Sequence, residues 1–458
     1  MEFIWDLVLG AWNFIPSLAL LALYSSMLTQ TCARIYVRNQ KNNQRMKLVY
    51  LTQVFETEND FGSDRHHFHC KKLAEKGHEV VVVTSNIDYK TGKPKHAAKG
   101  FGPVMIDHQG MRIYYVYSKG DFHGSSFKRV AYFISYLFFA LKLAREIGRA
   151  DIVYAVSTPL TVGLLGYRLS RSLRAGFIFE VTDVWPDVHI QMGFLRNWFL
   201  IKLLKKMEIF CYRKARTIVA LSEGIRKNIQ AKIYWQTEKV VLVSNGVDPA
   251  LFVMDESSLA KAEGIRRTHG WQERFVCLYL GAHGRYNSLD TIIEAAALCR
   301  PDPSLLFVLV GAGEENCRLQ ASAAGMGLAN VVFLPPIERQ QAPFYLQAAD
   351  AFLLPNIKGD YFRMNLQNKF FDFLASARPI VFAGCGESAA IIEKCSCGAV
   401  VPAEDGAAMA RTIVDLKNLP EAARAQMGRR GREFVLANFD RHALAEKWIG
   451  FLQAEAGK

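Results

Sequence analysis

Three polar residues share one face of the helix predicted over residues 366–376. Lys369, Asp372 and Ser376 are spaced at i, i+3 and i+7, while the aromatic residues of the segment take an inward face. Lys369 lies near the helix N-terminus, where its charge adds to the positive end of the dipole and suits a pyrophosphate. Asp372, one turn further on, can accept hydrogen bonds from both hydroxyls of a ribose. The alternative is a Lys–Asp pair on the surface, but a surface helix that runs straight into an apolar strand should be less aromatic.

Two glycine-containing loops follow predicted strands in the same half of the chain. In "GAHGRYNSLD", Gly281, Gly284 and Arg285 can hold a diphosphate through backbone N–H groups and a bidentate guanidinium. In "VGAGEE", Gly311 and Gly313 let a base or a ribose lie close to the chain. A Gly-x-Gly pair is common, and this one lacks the full dinucleotide-binding fingerprint.

Two candidates lie in the first half. Gly62 precedes a predicted helix, where a small residue lets a phosphate or sugar approach the helix N-terminus, although a simple turn is the better explanation of a single glycine without other support. Asp183 ends the strand "FEVTD" with Trp185 beside it, and a carboxylate there can orient an acceptor hydroxyl or a donor sugar. A helix N-cap is the alternative for Asp183.

Alternating apolar strands and helices must position these loops. The β-loop-α-β pattern that begins at Met46 opens a doubly wound sheet, and the alternation that follows predicts parallel strands. A second alternating series begins at 275, so we expect two Rossmann-like α/β domains with a ligand cleft at the carboxyl ends of their strands. The expected divisions are an N-terminal segment at 1–45, a first domain at 46–245, a second domain at 246–437 and a final helical segment at 438–458.

Positive charge is concentrated in the first half of the chain. Residues 1–250 hold 34 Lys and Arg against 20 Asp and Glu, whereas the remainder holds 22 against 23. A basic half suggests an anionic partner, which can be nucleic acid, a membrane surface or a phosphorylated substrate. Nucleic acid is the weakest of these, because the charge lacks an RNA-type aromatic motif.

The N-terminal segment favours the membrane. Residues 3–28 carry a single charge, Asp6, and are long enough to cross a hydrocarbon core of ~30 Å. The basic residues that follow place the C-terminal bulk in the cytosol by the positive-inside rule. We therefore expect an uncleaved anchor, with a loosely attached extension before Met46 as the alternative.

Two further apolar helices, predicted at 127–146 and 196–212, carry basic residues around their aromatics. The charge-free part of the first helix is too short to span a bilayer. Both suit a surface that lies on anionic lipid. The alternative is that they only cover a face of the sheet, and for the first helix the two interpretations are balanced.

The nine cysteines are scattered without zinc-type spacing. Even Cys395 and Cys397 lack a second pair or a histidine cluster. They are read as reduced thiols, and no metal site is expected.

A series of motifs in this order resembles family 4 of the retaining GT-B glycosyltransferases. The motifs include "FEVTDVWPD", "NGVDPALF", "LYLGAHGRYNSLDTIIEAA", "VLVGAGEE" and "NKFFDFLASARPIVFAGCGES", and the resemblance covers residues 46–455. Within this family, the sequence most resembles the bacterial sugar transferases that build the repeat units of O-antigen, capsule and exopolysaccharide. It implies two facing Rossmann-like domains, a nucleotide-sugar donor held by the second, an acceptor held by the first, and no required metal or other cofactor. It also implies that the last helix crosses back onto the first domain.

The resemblance also assigns roles to residues. Asp372 matches the second acid of the family's Glu-x₇-Glu motif, which holds the ribose, while the first acid falls on Met364 and is missing. Asp183 matches a position often held by a catalytic His or Asp. Glu387 and Ser388 match the "GES" turn near the donor sugar.

The two cations that usually grip the donor phosphates fall on Ala282 and Asn287, and both are missing. Arg285 and Lys369 are the nearby cations expected to replace them. With Asp183, they form the expected catalytic set.

The resemblance implies a retaining transfer from a nucleotide sugar, UDP-linked by expectation, to a polyprenyl-diphosphate-linked glycan at the cytoplasmic side of a bacterial inner membrane. One alternative is a nucleotide-sugar 2-epimerase, which shares the architecture but needs no lipid. Another is an inactive scaffold of a polysaccharide assembly complex, suggested by the missing motif residues.

Overall fold

The computed structural model describes residues 45–57, 65–88, 91–98, 100–120 and 126–458. The predicted N-terminal anchor and Gly62 lie outside these ranges. Within them, no helix is both long and apolar enough to cross a bilayer.

Eight strands form the first sheet. Their bounds are Lys47–Leu51 (β1), Glu79–Ser85 (β2), Val104–His108 (β3), Met111–Val116 (β4), Ile152–Val156 (β5), Gly176–Val181 (β6), Thr217–Ala220 (β7) and Val240–Leu242 (β8), and they lie in the order β3-β4-β2-β1-β5-β6-β7-β8. Central strands such as β1 and β5 are continuous apolar runs because helices cover both faces of the sheet. Accordingly, Val49 and Leu51 point into one core, and Leu48 and Tyr50 into the other.

The first sheet is not wholly parallel, which corrects the sequence prediction. Edge strand β3 pairs antiparallel with β4, and Gln109 and Gly110 at the turn between them both have positive φ. A two-residue hairpin of this kind returns the chain directly, so no crossover helix is needed. The other pairings in this sheet are parallel.

Seven helices belong to the first domain in the described ranges. They are Arg65–Glu75 (α1), Ser126–Lys142 (α2), Ala144–Ile147 (α3), Thr161–Leu173 (α4), Asp187–Gln191 (α5), Trp198–Lys214 (α6) and Glu223–Lys232 (α7). The single helix predicted at 127–146 is therefore divided in two at Leu143.

The second sheet is parallel throughout. Its strands are Phe275–Leu280 (β9), Leu305–Val310 (β10), Val331–Leu334 (β11), Ala351–Pro355 (β12), Ile380–Ala383 (β13) and Gly398–Val401 (β14), in the order β11-β10-β9-β12-β13-β14. Its helices are Glu256–Thr268 (α8), Asp290–Leu298 (α9), Asn316–Gly325 (α10), Ala342–Gln347 (α11), Asp360–Met364 (α12), Asn368–Ala375 (α13), Glu387–Cys395 (α14), Gly406–Asn418 (α15) and Glu421–Asn438 (α16).

The last helix, Arg441–Ala456 (α17), packs on the first domain. Trp448 is fully buried, with its ring 5.1 Å from that of His69 on α1 and 5.5 Å from that of Tyr154 on β5. Arg216 also donates a hydrogen bond to the carbonyl of Glu455, at 3.0 Å. The second domain is thus followed by a helix that belongs to the core of the first.

The chain crosses between the domains at two adjacent places. Val247 donates a hydrogen bond to the carbonyl of Phe439 at 2.9 Å, and Arg441 donates one to the carbonyl of Val247 at 2.8 Å. A Cβ added to Gly246 would lie 2.3 Å from the Phe439 oxygen, so only glycine permits this approach.

Candidate active site between the domains

Lys369 is a half-buried cation held by neutral groups. Its ammonium donates hydrogen bonds to the Tyr279 hydroxyl at 2.6 Å and to Asn287 Oδ1 at 2.8 Å, and it lies 4.3 Å from the centre of the Tyr279 ring. Burial lowers the pKa of Lys369 to about 7. No ion pair found among the described residues includes this lysine. A bound anion at this point would supply the missing negative charge and favour the ammonium form.

Asn287 occupies one of the positions where the sequence comparison expects a phosphate-binding cation. Its Oδ1 receives the Lys369 hydrogen bond, and its Nδ2 donates to the carbonyl of Ala282 at 2.8 Å. The Tyr279 hydroxyl donates to the same carbonyl at 2.7 Å. The Lys369 ammonium from α13 thus lies at the end of the Asn287 side chain, in the loop where the expected cation is missing.

The glycines after β9 and β10 pack against each other. A Cβ at Gly311 would lie 2.0 Å from the carbonyl oxygen of Gly281, and one at Gly313 would lie 2.4 Å from that of His283. His283 also donates a backbone hydrogen bond to Ala312 at 2.9 Å. Contact between the two loops thus requires Gly311 and Gly313, a reason different from the predicted approach of a base or ribose.

Gly281 lies closest to the lysine. It has φ of +153°, and a Cβ there would lie 3.2 Å from Lys369 Nζ. Gly284, by contrast, has an ordinary φ of −102°. Gly281 therefore keeps the space beside the ammonium open.

Arg285 faces another direction. Its side chain is 64% exposed, and its Nε lies 3.9 Å from Glu315 Oε1. It borders a cavity of 420 Å³ whose lining does not include Lys369. The cavity is lined by Gly284, Arg285, Ser288, Leu289, Asp290, Thr291, Glu294, Glu315, Arg318, Leu319, Ile357 and Glu404. The structure thus does not bring the two predicted phosphate-binding cations into contact.

Helix α13 presents Lys369 and Asp372 as predicted, but not Ser376. Asp372 is partly buried on the helix, whose phenylalanines fill the core. Ser376 is 1% exposed, and its hydroxyl donates to the carbonyl of Asp372 at 2.8 Å. Ser376 is the C-cap of α13, so only Lys369 and Asp372 form the predicted polar face.

Asp183 lies at the carboxyl end of β6 and contacts the second domain. Its Oδ1 accepts a short hydrogen bond from the Tyr361 hydroxyl, and its Oδ2 accepts one from Thr158 at 3.4 Å. Burial raises the pKa of Asp183, and these two hydrogen bonds partly offset the rise. Since the N-cap of α5 is Pro186, the N-cap alternative for Asp183 is wrong.

Tyr361 comes from α12, a five-residue helix that reaches the first domain. Its backbone N–H donates to Gln191 Oε1 at 2.8 Å, and its side chain is 3% exposed. The segment around α12 shows no strong hydrophobic period, so the sequence reasoning missed Tyr361 and Gln191. The only sequence signal was the aromatic pair of "DYFRM" within an otherwise polar loop.

Glu387 also contacts the first domain. Its carboxylate accepts hydrogen bonds from the backbone N–H groups of Gly224 at 3.1 Å and Glu223 at 3.4 Å, in the first turn of α7. Burial raises the pKa of Glu387. The neighbouring Ser388 is 4% exposed. Glu387 thus joins the domains in this structure, whereas sugar binding was the role expected from the sequence.

Met364, where the first motif acid is missing, is part of the same junction. Its carbonyl accepts a short hydrogen bond from the Ser222 hydroxyl. A Cβ at Gly224 would lie 2.6 Å from its Cα, so the backbones of α7 and α12 nearly touch. Contacts made by α12 and Glu387 thus hold the two domains together on this side of the expected cleft.

Among the described residues, no group of three or more His, Cys, Asp or Glu side chains could hold a metal ion. The eight described cysteines are all free thiols.

Comparison with known proteins gives a match to each domain. Residues 67–251 match the family described as Glycosyltransferase Family 4, and residues 274–418 match the family described as Glycosyl transferases group 1. The chain is 28% identical over 210 residues to the putative teichuronic acid biosynthesis glycosyltransferase TuaH of Bacillus subtilis, an alignment that covers 44% of this chain and 49% of TuaH. It is 22% identical over 306 residues to the probable glycosyltransferase WbjE of Pseudomonas aeruginosa, covering 65% of this chain and 75% of WbjE.

Solved structures share the two-domain fold. Anabaena HepE in complex with UDP-glucose superposes with a TM-score of 0.66 at 16% identity, covering 90% of this chain and 100% of HepE. The sucrose-phosphate synthase of Thermosynechococcus elongatus gives a TM-score of 0.72 at 17% identity, with the same coverage. These likenesses confirm the expected GT-B arrangement of two facing α/β domains.

Proposed function

We propose that this glycosyltransferase moves a sugar from a UDP-linked donor to a polyprenyl-diphosphate-linked glycan, with retention of anomeric configuration, in the synthesis of a bacterial surface polysaccharide. The observation that carries the donor assignment is the Lys369 ammonium, which is held between Tyr279 and Asn287. The matched families and the named roles of TuaH and WbjE support the reaction class. The UDP-glucose complex of HepE supports the nucleotide.

The chemistry follows from where charge develops. When the bond between the anomeric carbon and the diphosphate breaks, negative charge grows on the departing phosphate, and Lys369 stabilises it. The acceptor hydroxyl attacks the same face and passes its proton to the departing phosphate oxygen. Asp183 orients that hydroxyl, and Asp372 holds the ribose. The donor charge is met by side chains and helix N-termini, so we propose that no metal or other cofactor takes part.

The proposed acceptor carries a polyprenyl lipid, so the proposed reaction takes place at a membrane. We propose that the domains work at the cytoplasmic side of a bacterial inner membrane, with anionic lipid as a partner. The positive charge of the first 250 residues and the apolar character of residues 3–28 support this.

Binding of UDP-glucose to a Lys369→Gln variant tests the donor site. We expect at least about tenfold weaker binding by calorimetry, because a charge-assisted contact to phosphate is lost. Lys394→Gln, an exposed lysine on α14, is the matched control and should bind as the unaltered protein does. Equal affinities for both variants would refute the assignment.

A further inference from the structure

The first half of helix α6 is rich in apolar side chains that are not buried among the described residues. None of residues 198–207 is buried, although this stretch includes six tryptophan, phenylalanine, leucine or isoleucine residues in its first seven positions. Trp198 is 72% exposed, and the helix is anchored only further along, by Glu208, Cys211 and Tyr212. A contiguous run of exposed apolar side chains is typical of a surface that a partner or a membrane covers.

The groove beside α6 is strongly basic. It has a volume of 1070 Å³ and contains five cations and no acid. Its lining consists of Trp198, Ile201, Lys202, Lys205, Lys206, Ile209, Phe210, Arg213, Lys214, Trp235 and Gln236. The Arg213 guanidinium lies 5.5 Å from the centre of the Trp235 ring. Aromatic rings among cations are typical of surfaces that sit at the headgroup level of a bilayer.

Helix α2 presents a second apolar stripe in the same layer. Phe127, Val130, Ile134 and Phe138 are all exposed at helical spacing, while Tyr132, Tyr136 and Ala140 of the same helix are buried. The flanking Lys128, Arg129 and Lys142 are exposed. Helix α4 packs against both α2 and α6, so the two stripes lie on one side of the first domain.

We infer that α2, α6 and Trp235 form one docking face for an anionic lipid bilayer. Five groove cations without an acid select negative lipid headgroups, and the exposed Trp198 and Phe127 insert among them. The inference rests on the membrane partner proposed above and assigns it to particular helices.

Three aromatic residues lie in the segment between the candidate catalytic residue and the docking face. Between Asp183 and the start of α6, the rings of Trp185 and His189 lie 3.7 Å apart, and those of His189 and Phe194 lie 6.5 Å apart.

Lysine labelling of the full chain in vesicles tests the face. The protein is held in vesicles of phosphatidylcholine, or of phosphatidylcholine and phosphatidylglycerol in equal parts, and initial acetylation rates are read by mass spectrometry. An apolar N-terminal anchor would act in both vesicles, so only the difference between them reports on the face. We expect Lys128, Lys142, Lys202 and Lys206 to be acetylated several-fold more slowly in the anionic vesicles, while the exposed Lys447 on α17 is unchanged.

Charge reversal separates the face from general attraction. Lys202→Glu/Lys206→Glu should abolish the protection of Lys128 and Lys142, whereas Lys447→Glu/Arg429→Glu, with the same change of charge, should keep it. Equal rates in both vesicles would overturn the inference, as would protection confined to α6. Protection that appears without vesicles and grows with protein concentration would mean that a second copy covers the face instead. Because no sugar transfer is measured, failure here is distinct from failure of the proposed reaction.

Discussion

The Tyr361 hydroxyl donates a hydrogen bond to the Asp183 carboxylate, and the two residues belong to opposite domains. Asp183 follows strand β6 of the first sheet, and Tyr361 lies on the short helix α12 of the second domain. The orientation of the carboxylate therefore depends on how the domains meet. The Tyr361 hydroxyl therefore couples closure of the domains to the orientation of the Asp183 carboxylate.

Replacing Tyr361 by phenylalanine should slow transfer without weakening donor binding. A hydrogen bond to a charged group contributes about 1.5–3 kcal/mol, so kcat should fall by about tenfold or more. The Tyr361 bond lowers the pKa of Asp183, so its loss raises that pKa and moves the acidic limb of the pH–rate profile to higher pH. The rate of UDP release, with a bacterial lipid extract as acceptor, measures kcat and its pH dependence. Tyr234→Phe, which changes an exposed ring, is the control. An unchanged profile would remove Asp183 from the mechanism.

Donor affinity should decrease as pH rises through the pKa of Lys369. Burial lowers that pKa to about 7, so the protein without donor loses the ammonium above this pH, while a bound diphosphate would retain it. The affinity for UDP-glucose should then fall by up to about tenfold per pH unit above pH 7. Calorimetry from about pH 6 to pH 9 measures it. Arginine stays charged over this range, so Lys369→Arg should remove the pH dependence. A dependence that persists in that variant would have another source.

Removal of the Glu387 carboxylate should loosen the junction between the domains. Glu387→Ala leaves the N–H groups of Glu223 and Gly224 without their acceptor, so amide hydrogen exchange in the first turn of α7 should become faster. Glu393→Ala, at an exposed position of α14, the helix that begins at Glu387, should leave the exchange in α7 unchanged. If both variants exchange alike, the carboxylate does not hold the domains together.

Asp372 should be needed for the donor but not for the fold. Asp372→Ala is expected to abolish detectable UDP-glucose binding in a thermal-shift assay while the melting temperature without ligand stays near that of the unaltered protein. Asp415→Ala, at an exposed position on α15, provides the comparison. Retained affinity in the Asp372 variant would exclude a ribose-binding role.

Sequence patterns predicted the strands well where both faces are buried. Strands such as β5 and β10 are continuous apolar runs, which is typical of parallel strands covered on both faces. Strand β3 was missed because "VMIDH" is an edge strand with alternating exposure, and its polar residues resemble a loop.

The site was predicted in part. Lys369 was found because its charge lies on an amphipathic helix next to a buried strand. Its link to Asn287 was not foreseeable, since it depends on two side chains 82 residues apart that meet only after folding. Tyr361 and the contacts of Glu387 were inaccessible for a related reason, because they depend on the relative position of two domains.

The double crossing at Val247 and Asp440 limits how this cleft can open. The two interdomain segments are hydrogen-bonded to each other, so sliding or twisting of one domain against the other would break bonds that a simple swing preserves. We therefore expect the cleft to open mainly as a swing about the paired segments. Every catalytic contact across the cleft should consequently be lost or regained in one concerted step.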